Sequence, residues 1–345
     1  MKTLKILAVM LTTLVLSSSV YAGEVGVSGS VKASISTAGS ADTAGASNND
    51  GKTLAISNDI NFDASGELDN GWSWAWQTQL DAGAIDDTQL TISTDYGTIG
   101  LYGTEGGLNY KHGGSQMALG YGSQIGNSGG LVDPDDVGSF NNIQYHLPAD
   151  LLPFGITAKY AMTMSGTATG EPGDAPVNTT INTERRGESL LVSANPYEGL
   201  NVGASYFTID QVAGLNQSGQ EEEQGAYYVS YKFNNIGLAY SKAMVAPASG
   251  SAQGGTVATY NLYETDSYSI GFAANDNLSF SYGVEKSHRN LTTDATEYDL
   301  EIDTLQLAYT MGGMTSTFAI KSIENSDYTQ NKDIDEAHLV LSMAF

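Results

Sequence analysis

The chain contains no cysteine, which excludes a disulfide framework and every cysteine-based metal or redox site. Proline is scarce, at 7 in 345 residues, and so are bases, with 14 lysines and arginines against 39 aspartates and glutamates. That balance excludes nucleic-acid binding, which needs clustered bases to neutralise phosphates. No stretch of 18 consecutive apolar residues occurs, so no helix is predicted to cross a bilayer. The apolar stretch Ile6–Leu16 follows Lys2 and Lys5 and precedes Val20-Tyr21-Ala22. This is the layout of a secretory signal over residues 1–22, and the stretch is too short for a membrane anchor. Cleavage before Gly23 removes two lysines and no acid, leaving 12 bases against 39 acids, a formal charge of −27. Residues 23–345 then form one domain.

What the chain has instead is glycine, 40 residues, and tyrosine, 20 residues. Apolar residues recur at every second position. Val25, Val27, Val31 and Ile35 alternate with Ser28, Ser30, Lys32 and Ser34, and Trp72, Trp74 and Trp76 with Ser73, Gln77 and Gln79. This is the signature of strands with one apolar and one polar face. The pattern continues from Ile143 to the terminal Leu339, Leu341, Met343 and Phe345. In one segment Tyr298, Leu300 and Ile302 have one parity while Leu305, Leu307 and Tyr309 have the other, and a bulge near Asp303 would absorb the switch. Seven short turn signals, including Tyr96-Gly97, Asn195-Pro196 and Asn234-Asn235, alternate with eight long polar segments. The count fits sixteen antiparallel strands (range 14–18) closed into a transmembrane barrel, with short turns on one rim and long loops on the other.

The longest interruption is Thr104–Ser139, rich in glycine and ending in Asp133-Pro134-Asp135-Asp136. A segment this long without structure of its own is usually functional or disordered. It is expected to fold into the lumen, with Met117, Leu119 and Tyr121 able to form a short strand within it. Lys32, Lys159, Lys232 and Lys321 all share the polar parity of their strands, as a lipid-facing barrel requires. A soluble sandwich would show the same parity. The signal segment and the apolar terminus at Phe345 favour the barrel, since soluble termini are usually polar and loose.

The opening Val25-Gly26-Val27-Ser28-Gly29-Ser30, the Asp95-Tyr96-Gly97-Thr98-Ile99-Gly100-Leu101-Tyr102-Gly103 approach to the long loop and the terminal Phe345 strand together resemble the Gram-negative general porins, nearest the alphaproteobacterial type. The resemblance spans residues 23–345 through pattern more than identity. It implies a homotrimer in the outer membrane, the third loop folded inward as an eyelet, and Phe345 read by the outer-membrane assembly machinery. In such porins the loop carries acids and the facing wall carries bases. Here Glu105, Asp133, Asp135 and Asp136 can supply the acids, or form a solvated loop tip. The wall departs from the family, since the early strands offer Asp59, Asp63, Asp81 and Asp95. The bases must come from Lys32, Lys159, Lys232 and Lys321, with Arg185 and Arg186 at a rim.

The expected function is a water-filled channel for small hydrophilic solutes and ions, preferring cations because acidic linings do so. An outer-membrane barrel enzyme and a surface β-rich adhesin without a pore are the alternatives. The four histidines, His112, His146, His288 and His338, are scattered, and no acyl-transfer pattern surrounds them. Gly51-Lys52-Thr53 lacks the earlier glycine and the strand-to-helix setting of a phosphate loop. No catalytic site and no cofactor are therefore expected. Glu221-Glu222-Glu223 and Asp86-Asp87 could hold Ca²⁺ through hard oxygens, although charge runs are more often simply solvated. Asn58 and Trp74 have outward parity and are expected at a subunit interface, where burial could satisfy the amide; a place at the membrane rim is the alternative for Asn58.

Overall fold

The structure is a computed structural model that describes residues 25–40, 51–81, 84–110, 112–148, 150–163, 186–210, 222–247, 260–291 and 296–345. The signal segment, Arg185 and Glu221 lie outside them. Strict alternation gives sixteen strands: β1 Val25–Ser40, β2 Gly51–Glu67, β3 Ser73–Asp81, β4 Ala84–Thr94, β5 Gly97–Gly103, β6 Asn142–His146, β7 Thr157–Thr163 and β8 Arg186–Tyr197 lead into β9 Leu200–Asp210, β10 Glu222–Phe233, β11 Ile236–Ala246, β12 Tyr260–Ala273, β13 Leu278–Leu291, β14 Leu300–Met311, β15 Met314–Glu324 and β16 Ile334–Ala344. Each pairs antiparallel with its sequence neighbours, and β1 pairs with β16 to close the barrel. Closure is what hydrocarbon demands, because an unpaired edge in lipid leaves its backbone groups unsatisfied.

The outward face carries the large exposed hydrophobics, among them Val27, Ile56, Leu101, Leu190, Leu238, Phe280 and Leu341. Between β7 and β14 a motif repeats on this face. Tyr160, Tyr206, Tyr240 and Tyr282 each hydrogen-bond a carboxylate of the next strand, Glu188, Glu223, Asp266 and Asp303 respectively. In all four hairpins the acid stands two positions toward the long-loop rim from the tyrosine's register partner. The tyrosines thus form a girdle with apolar surface below and charge above, as at a membrane interface.

Several local expectations are corrected. No bulge occurs at Asp303, which keeps register with Val284 and Ser322. Leu300 and Ile302 instead face inward and are fully buried, because inward-folded chain covers them. The Asn195-Pro196 turn moves to Glu198-Gly199, with a register shift between Ala194 and Tyr197; proline cannot donate to the ladder and is tolerated at such a bulge. Asp95 lies in the short turn between β4 and β5 and not on a lumenal strand face. Met117, Leu119 and Tyr121 form no strand. Their backbone is irregular because its partners are barrel side chains.

The seam is tied at the chain end. Phe345 donates its amide to the Gly29 carbonyl at 3.0 Å and accepts from the Gly29 amide at 2.9 Å. The Phe345 ring covers Gly29, where an added Cβ would meet it at 2.7 Å. Gly29→Val should therefore push the terminal ring off the seam and lower the temperature at which the folded barrel band converts to the unfolded band in a detergent gel. An unchanged conversion temperature would show that the ring can be accommodated elsewhere.

Candidate functional site

Residues 104–141 pass through the barrel and lean on one part of its wall. The segment starts beside β4, where Thr104 Oγ1 donates to the Asp86 carbonyl at 3.2 Å and Glu105 hydrogen-bonds Asp87. The outgoing limb then crosses to the far strands. The Tyr110 amide donates to Ser205 Oγ of β9 at 2.9 Å, and the Gln116 amide to Ser269 Oγ of β12 at 3.0 Å. Gln306 of β14 takes the Leu119 amide at 2.9 Å and returns its own amide to the Gly120 carbonyl at 2.8 Å. Glu285 of β13 accepts both the amide and the hydroxyl of Ser123 at 2.7 Å.

The wall is shaped for this passage. Gly237, Gly271 and Gly283 have lumenal parity on β11, β12 and β13, and an added Cβ would collide with Gln116 or Met117 within 2.0–2.5 Å. Glycine is needed there because the limb sinks between the neighbouring side chains. The lumenal positions nearby are Ala239, Ser241, Ser267, Ser269 and Ser281, all small and all buried.

The turn of the loop is held by charge. Lys321 of β15, its side chain fully buried, donates to the carbonyls of Gly122, Ile125 and Asn127 and pairs with Glu336 of β16 at 2.8 Å. Glu336 also accepts from the Asn127 amide at 3.3 Å and bonds His338 at 2.9 Å. Every polar partner a buried ion pair needs is thus present. Tyr121 is fully buried beside Ser269, and burial pushes its hydroxyl pKa up, so it adds no charge to the lumen.

The returning limb lies nearer the long-loop rim. There the segment between β15 and β16 folds in to meet it. The Asp327 amide and Ser326 Oγ both donate to the Gly129 carbonyl, at 2.6 and 3.2 Å. Tyr328 packs with Leu131, Val245, Leu300, Ile302 and Ile323, and bonds Ser287 at 2.7 Å. Asn325, Asp327, Tyr328 and Asn331 all have φ between 51° and 57°. Four non-glycine residues in this region of φ/ψ space persist only where the surroundings over-determine them. The limb ends with Val137 packed against Leu108, Ala161, Leu191 and Phe207.

These contacts divide the lumen in two. Every buried polar residue on a strand belongs to β6–β16; none belongs to β1–β5 among the described residues. Ser28, Ser30, Asp59, Asn61, Asp63, Gln77, Gln79, Asp81 and Gln89 remain partly exposed on the uncovered side, and Lys32 is exposed.

The proposed site residues are placed accordingly. Asp136 accepts the Leu108 and Asn109 amides at 2.7 Å each and the Gly138 amide at 3.4 Å, so it braces the loop internally. Asp133 and Asp135 are exposed; Asp133 stands 3.7 Å from His112, and the Asp135 amide bonds Gln224. Lys321 is corrected from pore-lining to loop-anchoring, since it is sealed under the segment it binds. Lys159 is half-buried on β7, and Lys232 is exposed beside the short turn after β10. Asn58 faces outward opposite Val31 with no hydrogen-bond partner among the described residues, and Trp74 lies outward across Gly66. Glu285, Gln306, Glu336 and Ser269 were missed by sequence reasoning. Their only signal was polar or small character at lumenal parity.

A family model described as Gram-negative porin matches residues 7–328. The chain belongs to the Gram-negative porins. No curated protein matches the sequence. Among solved structures, this porin is similar to Salmonella typhi OmpF in complex with daunomycin (TM-score 0.64, 13% identity, 94% of this chain and 98% of that one). It is also similar to an anion-selective porin from Comamonas acidovorans (TM-score 0.64, 12% identity, 94% and 100%). A third is the trimer form of OmpT from Vibrio cholerae (TM-score 0.61, 13% identity, 94% and 100%). At these identities the likeness shows the fold. Family and fold together make the chain an outer-membrane channel protein.

Lys321→Met should leave the barrel closed and loosen the loop. It strands Glu336 without its cation, and removing one partner of a buried pair costs about 3–5 kcal/mol. Open-channel current noise and protease cleavage near Gly126–Gly130 should both rise. Wild-type noise and resistance would show that the loop is held without the lysine.

Proposed function

We propose that this porin is a non-specific channel for passive diffusion of small hydrophilic solutes and ions, that it prefers cations, and that it works as a homotrimer without enzymatic activity. The observation that carries the reading is the divided lumen. One half is filled by the anchored loop, and the other is lined by partly exposed Ser, Asp, Asn and Gln. A polar, uncovered wall admits water and hydrated solutes. A preponderance of carboxylates favours cations over anions in a channel. The field is screened over about 8 Å at physiological salt, so the preference is moderate and fades as salt rises.

The trimer reading rests on the outward face. The tyrosine–carboxylate girdle runs from β7 to β14 and, among the described residues, has no member on β1–β5. On β1–β5 the outward side carries Val27, Ile35, Ile56, Ile60, Trp74, Trp76 and Ile92 with the unpartnered amide of Asn58. Outward Thr78 and Thr94 are already satisfied by backbone carbonyls, at 3.1 and 2.9 Å. A largely apolar surface that carries an outward amide suits a second copy of the chain, and burial against it relieves an amide that would cost roughly 2–7 kcal/mol in hydrocarbon. Insertion through the outer-membrane assembly machinery, with Phe345 as the recognised end, completes the reading.

In planar bilayers the purified protein should give discrete ohmic steps, in multiples of three per insertion, and a reversal potential under a KCl gradient on the cation side. That potential should shrink as both salt concentrations are raised. Absence of conductance would refute the channel, and an anion-side potential would refute the preference. Asn58→Leu should change the temperature at which the trimer dissociates; an unchanged midpoint would remove Asn58 from the interface.

A further inference from the structure

We infer that the carboxylates setting ion preference are those of the uncovered wall, Asp59, Asp63 and Asp81, and not those of the inward loop. The inference deepens the cation-preferring reading and rests on it for the sign of the selectivity.

Depth is the first observation. The loop's outgoing limb, residues 106–121, contains no carboxylate. It packs on β10 at Tyr228 and Ser230. The returning limb, which carries Asp133, Asp135 and Asp136, meets β10 at Gln224. Gln224 and Ser230 are six positions apart on one strand, roughly 20 Å at 3.4 Å per residue. The loop acids therefore sit toward the long-loop mouth, while the limb that reaches deepest is acid-free. Asp59 stands midway along β2, between Gly51 at the long-loop rim and Glu67 at the other, with Asp63 four residues deeper, while Asp81 is the last residue of β3, at its long-loop end.

The second observation is how each carboxylate is occupied. Asp136 is spent on three backbone amides, Asp133 faces His112 at 3.7 Å and Glu105 is bonded to Asp87, which leaves Asp135 as the one of these loop acids whose carboxylate has no partner among the described residues. Asp59 and Asp63 are held by neutral groups only. Ser30 Oγ donates to Asp59 at 3.0 Å, and Gln77 Nε2 to Asp63 at 2.8 Å, itself oriented by Gln89 at 2.7 Å. Asp81 is the direct register partner of Asp59. Among the described residues none of the three has an ion pair. Asp59 and Asp81, opposed on neighbouring strands, both face the lumen, where a passing ion meets them. The strip takes metal cations, which its carboxylate and amide oxygens can coordinate, and organic ammonium ions, which can donate hydrogen bonds to the same oxygens as they pass. Lys32, on the same wall opposite Ser57 and Ser342, is its counterweight.

The test compares reversal potentials under one KCl gradient for the wild type, the wall variant Asp59→Asn/Asp63→Asn/Asp81→Asn and the loop variant Asp133→Asn/Asp135→Asn. Asparagine keeps the shape and can still accept from Ser30 and Gln77. Heat-modifiable gel migration confirms closure of each barrel, and a single Asp63→Asn change serves if the triple variant does not fold. The expected result is a large shift toward chloride for the wall variant and a small one for the loop variant. Equal shifts, or a larger one in the loop variant, would overturn the assignment. A wild type that prefers anions would refute the cation reading, yet a dominant wall shift would still uphold the wall as the place where selectivity is set.

Discussion

Everything in this molecule follows from the need to satisfy backbone hydrogen bonds where no water is available. An open sheet in hydrocarbon would leave a row of amides and carbonyls unpaired, at several kcal/mol each. Sixteen strands joined edge to edge remove the edge, and the exchange of hydrogen bonds between Gly29 and Phe345 finishes the seam at the chain end. Closure fixes the rest. It forces every side chain either outward to lipid or inward to the lumen, and a ring of this many strands encloses more space than its own side chains fill.

The inward loop uses that space under the same rule. Its irregular backbone is tolerable at membrane depth only because protein and water satisfy it. Wall side chains take the place of a neighbouring strand: Ser205, Ser269 and Gln306 meet one limb, while Glu285, Lys321 and Glu336 hold the turn. The cost of burying Lys321 and Glu336 is offset by mutual pairing and by carbonyl and amide partners. The segment around Tyr328 adds a second cover from the rim, with four residues in left-handed backbone conformations around a buried ring. The result is asymmetric by construction: a covered, small-residue wall on one side, and a wet, acid-bearing wall on the other.

Much of the barrel was legible from alternation alone, because side-chain period two is a local property. Strand number, the long loops and the outward hydrophobics all follow from it. The readings that failed were those where distant chain covers a strand. Leu300 and Ile302 looked out of phase because their inward apolar side chains meet Leu131 and Tyr328 and not water. Lys321 looked lumenal and is lumenal in parity, but its partners are loop carbonyls nearly 200 residues earlier, a separation no local pattern records. Asp136 looked like a solvent-facing acid and instead closes the loop on itself. One signal was present: glycine, serine and alanine crowd the mid-strand lumenal positions of β11–β13, where room had to be left for another piece of chain, while Asp and Gln stand among those of β2–β4.

The absence of cysteine allows the divided lumen to be probed directly. Single cysteines at Asp63 and Ser269 can be treated, in open channels, with a water-soluble cationic thiol reagent. Asp63→Cys should react rapidly and its conductance should fall, because that position lines the water path. Ser269→Cys, sealed behind the loop, should react slowly or not at all. Fast modification at Ser269 with protection at Asp63 would contradict the arrangement, placing the loop against β1–β4 and the aqueous path along the opposite wall.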